Sequence, residues 1–133
     1  MIVVDASALL DAIGPERVNI PLVERLLDAA AMSAPHLVDV EVVSGLRRLI
    51  ASGKVSAATA SEVKDAILEM PIRRYAHTEL TGRMWELRHN VSAYDACYIA
   101  LSEALDAPLV TSDGRLARAP GHRATIELYE RPI

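Results

Sequence analysis

Two short apolar runs, Ile2-Val3-Val4 near the start of the chain and Leu109-Val110-Thr111 near its end, are each followed closely by an aspartate, Asp5 and Asp113. Runs this short and this continuously apolar read as strands covered on both faces, the condition of a parallel sheet. Most of the sequence between them carries helical periodicity, and parallel neighbours need crossover helices. The pattern predicts an α/β sandwich with a mainly parallel central sheet. In open sheets of that kind ligands bind outside the carboxyl ends of the strands, which is where both aspartates would stand.

The rest of the chain fits this frame. Asp5-Ala6-Ser7 leads into a helix that Gly14-Pro15 ends, and Pro21 opens another over residues 21–27. Residues 31–34 make a weak strand before Pro35. From Leu37 to Ala51, Val38, Val42, Leu46 and Leu49 or Ile50 recur at helical spacing, with Arg47 and Arg48 outside, until Gly53. A helix over 56–70, with Ala58, Val63, Ile67 and Met70 inward, is stopped by Pro71, completing an α-hairpin. Residues 72–75 suit an edge strand, 78–88 a helix carrying the only tryptophan, Trp85, and 94–105 a further helix. Strands over 107–114 and 125–129 close the chain.

A chain of 133 residues, 51% of them hydrophobic, can bury one core, and no repeat, linker or low-complexity tract divides it, so residues 1–133 read as one domain. Its apolar stretches fall far short of the ~20 residues that span a bilayer. Asp5 interrupts the first of them before it could serve as a signal-peptide core, so a soluble, cytoplasmic protein is expected. One cysteine permits neither an intrachain disulfide nor a thiolate metal site, and Cys97 lies in an apolar helical pattern that suits a packed side chain. The net charge of −4 argues against binding nucleic acid by bulk electrostatics. If four carboxylates surround a cation, however, the remaining surface is balanced.

Two more acids complete that possibility. Asp95 stands in the first turn of one helix and Glu41 one turn into another, after a candidate strand. Singly, each has an ordinary reading: Asp5 and Asp113 as caps or turn residues, Asp95 as a complement to its helix dipole. Glu41, among Val38, Val40, Val42 and Val43, would be costly unless it faced water or a cation. Asp39, two residues earlier, would point about 200° away round the helix. Clustered carboxylates repel one another, and a hard divalent cation such as Mg²⁺ or Mn²⁺ relieves the repulsion while leaving sites for water and phosphate oxygens. That grouping suits phosphodiester hydrolysis better than acyl transfer.

The segments Ile2 to Leu10, the Glu41 helix, Tyr94-Asp95-Ala96-Cys97-Tyr98-Ile99-Ala100-Leu101, and Leu109 to Ala117 together resemble, in order and spacing, those of PIN-domain toxins of the VapC kind. The resemblance frames almost the whole chain. It implies a PIN-like three-layer α/β/α sandwich and a metal-dependent endoribonuclease, the toxin of a toxin–antitoxin pair. It implies that Asp5, Glu41, Asp95 and Asp113 form the active site, with Asp5 and Asp95 the usual Mg²⁺ ligands and Glu41 and Asp113 able to join them. It further implies RNA as substrate, a homodimer, and a VapB-like antitoxin in a hetero-oligomer, seated along a groove beside residues 22–27 and 38–49. Ser7 and Thr111 match polar positions that support the site, with cap and strand-end readings beside them. Arg115 and Arg118 follow Asp113 closely enough to reach a phosphate, ahead of Arg47, Arg48, Arg73 and Arg74. A PIN-like domain that binds RNA or protein without cutting is the alternative.

Other chemistries find little here. His36, His77, His89 and His122 are scattered without metal-ligand spacing, no Gly-rich phosphate loop occurs, and phenylalanine is absent, which disfavours aromatic base-stacking platforms. A phosphoacceptor signalling domain would need a lysine at the end of a late strand, whereas Lys54 and Lys64 lie mid-chain.

Overall fold

A computed structural model of the chain describes residues 1–14 and 18–131. The elements run β1 (Ile2–Val4), α1 (Ala6–Ile13), α2 (Ile20–Asp28), β2 (Met32–Pro35), α3 (Leu37–Ala51), α4 (Ala57–Glu69), β3 (Ile72–Tyr75), α5 (Thr81–Glu86), α6 (Ala93–Leu105), β4 (Leu109–Thr111), α7 (Gly114–Ala117) and β5 (Ile126–Leu128). The expected Pro15 stop after α1 lies outside the described residues; Gly14 caps that helix, its N–H on the Leu10 carbonyl.

The five strands form one sheet in the order β3-β2-β1-β4-β5, every pair parallel. Val3 pairs with Leu109 and Val4 with Val110, so β1 and β4 end together. Both strands are wholly buried, because helices cover both faces. On one side α1 packs against α2, α3 and α4; on the other α6 crosses β1, β2 and β4 with α5 beside it. The layering is therefore helix, sheet, helix. From β1 the chain builds outward to β2 and β3, then returns to the other flank of β1 to lay down β4. The switch in winding direction falls between β1 and β4, and the crevice at their carboxyl ends is where such sheets receive ligands.

Local signals explain most boundaries. Ser56 caps α4 and Ser92 caps α6, each hydroxyl accepting a backbone N–H from three residues on. Asn19 caps α2 one residue ahead of the expected start, and its amide also donates to the carbonyls of Tyr129 and Glu130, fastening the C-terminal segment. The helix expected over 78–88 is shorter, opening as a single 3₁₀ turn at Thr78–Leu80 before α5. In α4 the buried face is Ala60, Val63 and Ile67, while Ala58 is exposed, since two residues from Ala60 is about 200° round the helix. No described helix is long and apolar enough to cross a membrane.

A clamp joins α5, α6 and the loop after α7. Arg83 of α5 makes a two-pronged salt bridge to Glu103 of α6 (2.7 and 3.1 Å), and the same carboxylate accepts the Arg123 N–H (2.7 Å). The loop after α7 is thereby tied to the helix layer.

Candidate active site

The crevice at the switch point opens into a cavity of about 1070 Å³ lined by Asp5, Glu41, Asp95 and Asp113, with Ser7, Arg115 and Arg118 also on its wall. Topology brings these distant residues together. Asp5 follows β1, Asp113 follows β4, Glu41 sits in the helix that follows β2, and Asp95 in the first turn of the helix that precedes β4.

Asp5 is the best fixed of the four, at 5% exposure. Its Oδ1 caps α1, accepting the Ala8 N–H (2.9 Å) and the Ser7 hydroxyl (2.8 Å), while Oδ2 accepts the Thr111 hydroxyl (2.5 Å). Thr111 Oγ1 in turn accepts the Asp113 N–H (3.0 Å), and Ser7 Oγ accepts the Ser112 N–H (3.2 Å). Capping and site-building are thus the same interaction for Asp5. Asp113 likewise caps α7, its Oδ1 on the Arg115 N–H (2.9 Å). Asp95 caps nothing: Ser92 holds that position and accepts the Asp95 N–H (3.1 Å), which leaves the Asp95 carboxylate to the cavity.

The electrostatics follow from burial and mutual repulsion. Burial pushes Asp5 up to about 6, against the hydrogen bonds from Thr111, Ala8 and Ser7, and the charge of Asp113 adds to the rise. Glu41 is raised by burial and then by Asp95; Asp95 is raised by burial and then by Asp113, with Arg115 opposing. The four acids form one electrostatic unit. Among the described residues, however, no three Asp, Glu, His or Cys side chains converge into a ready-made metal cage.

A model of the PIN domain matches residues 2–122. The chain belongs to the PIN-domain family. Ribonuclease VapC1 of Mycobacterium tuberculosis is 43% identical over 127 residues, covering 95% of this chain and 96% of that protein. Among solved structures, M. tuberculosis VapC20, described as a toxin cleaving the sarcin–ricin loop, superposes with a TM-score of 0.68 at 17% identity, covering 88% of this chain and 93% of its own. VapBC2 of Rickettsia felis, solved bound to a DNA fragment from its promoter, gives 0.68 at 18%, covering 98% and 100%. At those identities the two structures speak to the fold alone, and they agree with the expected sandwich; the sheet of this PIN domain is wholly parallel.

Several expectations are sharpened or corrected by the PIN domain's structure. Of the four valines expected around Glu41, Val38 and Val42 are buried while Val40 and Val43 point to solvent, and Glu41 itself lines the cavity. Asp39 is engaged by Arg74 in a two-pronged salt bridge (2.6 and 2.8 Å), which occupies both. Arg73 stacks on Tyr75, while Arg48 lines the cavity and Arg47 does not. Leu22 is buried in the core and Leu27 is exposed, so the expected groove cannot use both. Cys97 is packed, its thiol pushed up to about 11 by burial and then by Glu41. None of the four histidines lines the main cavity.

Sequence reasoning missed Tyr98. It is 2% exposed beneath the acids, its hydroxyl approaching Glu41 without reaching hydrogen-bonding geometry. Burial, then the charge of Glu41, holds the phenol far above its usual pKa. The only sequence signal was its place three residues after Asp95, one turn along the same helix face.

Proposed function

We propose that this PIN domain is a metal-dependent endoribonuclease, the toxin of a toxin–antitoxin pair. The observation that carries the reading is the meeting of Asp5, Glu41, Asp95 and Asp113, from four separate segments, in one cavity at the switch point. Its relative VapC1, alike over nearly the full length of both chains, is named a ribonuclease.

The donor set fits a hard cation. Every candidate ligand is a carboxylate oxygen, no imidazole or thiol among the described residues lines the cavity, and three of the acids are held toward protonation by burial and one another. Mg²⁺ and Mn²⁺ take one or two carboxylates and keep several waters. Asp5 and Asp95 would hold the ion, with Glu41 and Asp113 flanking it. When bound, such an ion lowers the pKa of a water and stabilises charge on a phosphodiester.

The chain's own groups supply the rest. Ser7 and Thr111 lock both Asp5 oxygens in place, so that a ligand there is oriented before substrate arrives. Glu41, whose raised pKa makes it a better base, accepts a proton from the attacking water at its carboxylate. Arg115 and Arg118 offer their guanidinium groups to phosphate oxygens. In a cleavage assay on single-stranded and structured RNA, the wild-type chain is expected to cut in Mg²⁺ and to lose all activity in excess EDTA. Undiminished cutting in EDTA overturns the metal dependence. Binding without any cutting, in either ion, favours the non-cleaving PIN-like alternative.

The reading includes a homodimer and a VapB-like antitoxin that restrains it, since a basic side chain of a partner can occupy the acidic cavity. Light scattering is expected to give twice the chain mass, and pull-down from the native cell a small basic-tailed partner. A strictly monomeric chain that recovers no partner counts against both.

A further inference from the structure

A second hollow, about 560 Å³, adjoins the catalytic cavity and shares three of its residues, Asp95, Arg115 and Arg118. It is also lined by Arg88 and His89 from the turn after α5, and by Ala119 and Pro120. The two differ in charge balance: six acidic and five basic side chains line the catalytic cavity, whereas in the hollow Asp95 is the sole acid beside three arginines.

The arginines here are not spoken for. None of Arg88, Arg115 and Arg118 forms a salt bridge among the described residues, in contrast to Arg25, Arg74 and Arg83, each of which holds a carboxylate. Arg88 is nevertheless restrained. Its guanidinium lies 4.5 Å from the centre of the Trp85 ring, and Nη1 donates to the Trp85 carbonyl (2.9 Å), which leaves its remaining N–H groups free to face an anion. Arg118 folds back over Gly114, where a Cβ would come within 2.8 Å of its Nη1. The wall itself is preformed, because the loop beyond Pro120 is tied through the Arg123 N–H to Glu103, and Arg83 reaches the Gly121 carbonyl (3.4 Å).

We infer that this hollow is a subsite for the backbone of single-stranded RNA, in which Arg88, with Arg115 and Arg118, binds the phosphates next to the one being cut. The inference rests on the nuclease reading for its polarity, since a strand whose scissile phosphate lies at the acids runs past Asp95 into the hollow. Three guanidinium groups on one hollow, with Asp95 as the only acid beside them, favour a polyanion there. Arg88 is a phosphate-binding residue and takes no part in the chemical step.

The test is the salt dependence of binding. Fluorescence anisotropy of the full chain with a short single-stranded RNA in EDTA, titrated with salt, is expected to show Arg88→Gln weakening affinity about 5-fold and lowering the slope of log K against log salt by about 0.7, the value for one single-strand phosphate contact. Arg88→Lys, which keeps the charge, should restore most of the slope. Arg73→Gln, on edge strand β3 and outside both cavities, serves as the charge-matched control and should leave the slope unchanged. In Mg²⁺, Arg88→Gln should raise KM for RNA by a similar factor with kcat nearly unaltered. Equal slopes for wild type and Arg88→Gln, or an equal loss in Arg73→Gln, overturns the subsite. Failure of the wild-type chain to cut RNA in Mg²⁺ would instead overturn the nuclease reading, so the two failures are distinguishable.

Discussion

Asp95→Asn is expected to lower RNA cleavage in Mg²⁺ by about 10³-fold or more while melting, in chelator, at or above the temperature of the wild type. The two halves have one cause. Asp95 is held above its ordinary pKa by burial and by Asp113, so its ionised form costs the folded state free energy that a neutral amide does not. The same carboxylate is required for a cation, and the amide supplies neither the charge nor the second equivalent oxygen. A capping role would predict the opposite stability change, but Ser92 holds the cap. Asp95→Ala therefore separates the readings: it keeps the Ser92 cap, improves helix propensity, and should be as inactive as the amide variant without unfolding. Thermal melts with and without Mg²⁺, run beside a cleavage assay, decide it. Near-normal cutting by a well-folded Asp95→Asn protein removes Asp95 from the active site.

How much of this was legible in the sequence depends on which physical signal each residue carries. β1 and β4 could be read because strands buried on both faces are continuously apolar, and Asp5 and Asp113 could be read because they interrupt that apolarity where the strands stop. Glu41 was harder. Its helix announces an apolar face, but Asp39 is as acidic and only two residues away, and nothing local says that Arg74, from a strand thirty-five residues on, neutralises Asp39 and not Glu41. Phase was lost at Ala58 because a run of small residues gives a weak period. Tyr98 was invisible for another reason. In α6 every residue from Ala96 to Ser102 is buried, so periodicity does not mark the one position that looks up into the cavity. The basic hollow is more remote still from sequence patterns, since Arg88 and Arg118 meet only when the loop after α7 folds back beside the turn after α5.

The metal-free protein is expected to gain stability as pH falls from about 7.5 toward 5, the reverse of the usual behaviour of a buried carboxylate held by donors. Asp5 is raised from 3.8 to about 6. A folded-state pKa above the unfolded one means that this group's contribution is fully present below the unfolded value of 3.8 and is lost as pH rises through about 6. At about 1.4 kcal/mol per unit, the ionised carboxylate at neutral pH costs the fold on the order of 3 kcal/mol. Its donors, Thr111, Ala8 and Ser7, reduce that cost without cancelling it. The Asp5 component is read as a difference between wild type and Asp5→Asn. Asparagine can still accept from Ala8, and the Thr111 hydroxyl can turn to accept from its amide, so the α1 cap survives. Wild type should therefore show a steeper rise in melting temperature on acidification than Asp5→Asn. Mg²⁺ should stabilise the wild type strongly near pH 7.5, progressively less toward pH 5, and the variant little at any pH. Parallel melting curves for the two proteins across this interval, with equal response to Mg²⁺, would show that Asp5 is neither strained by its burial nor a ligand.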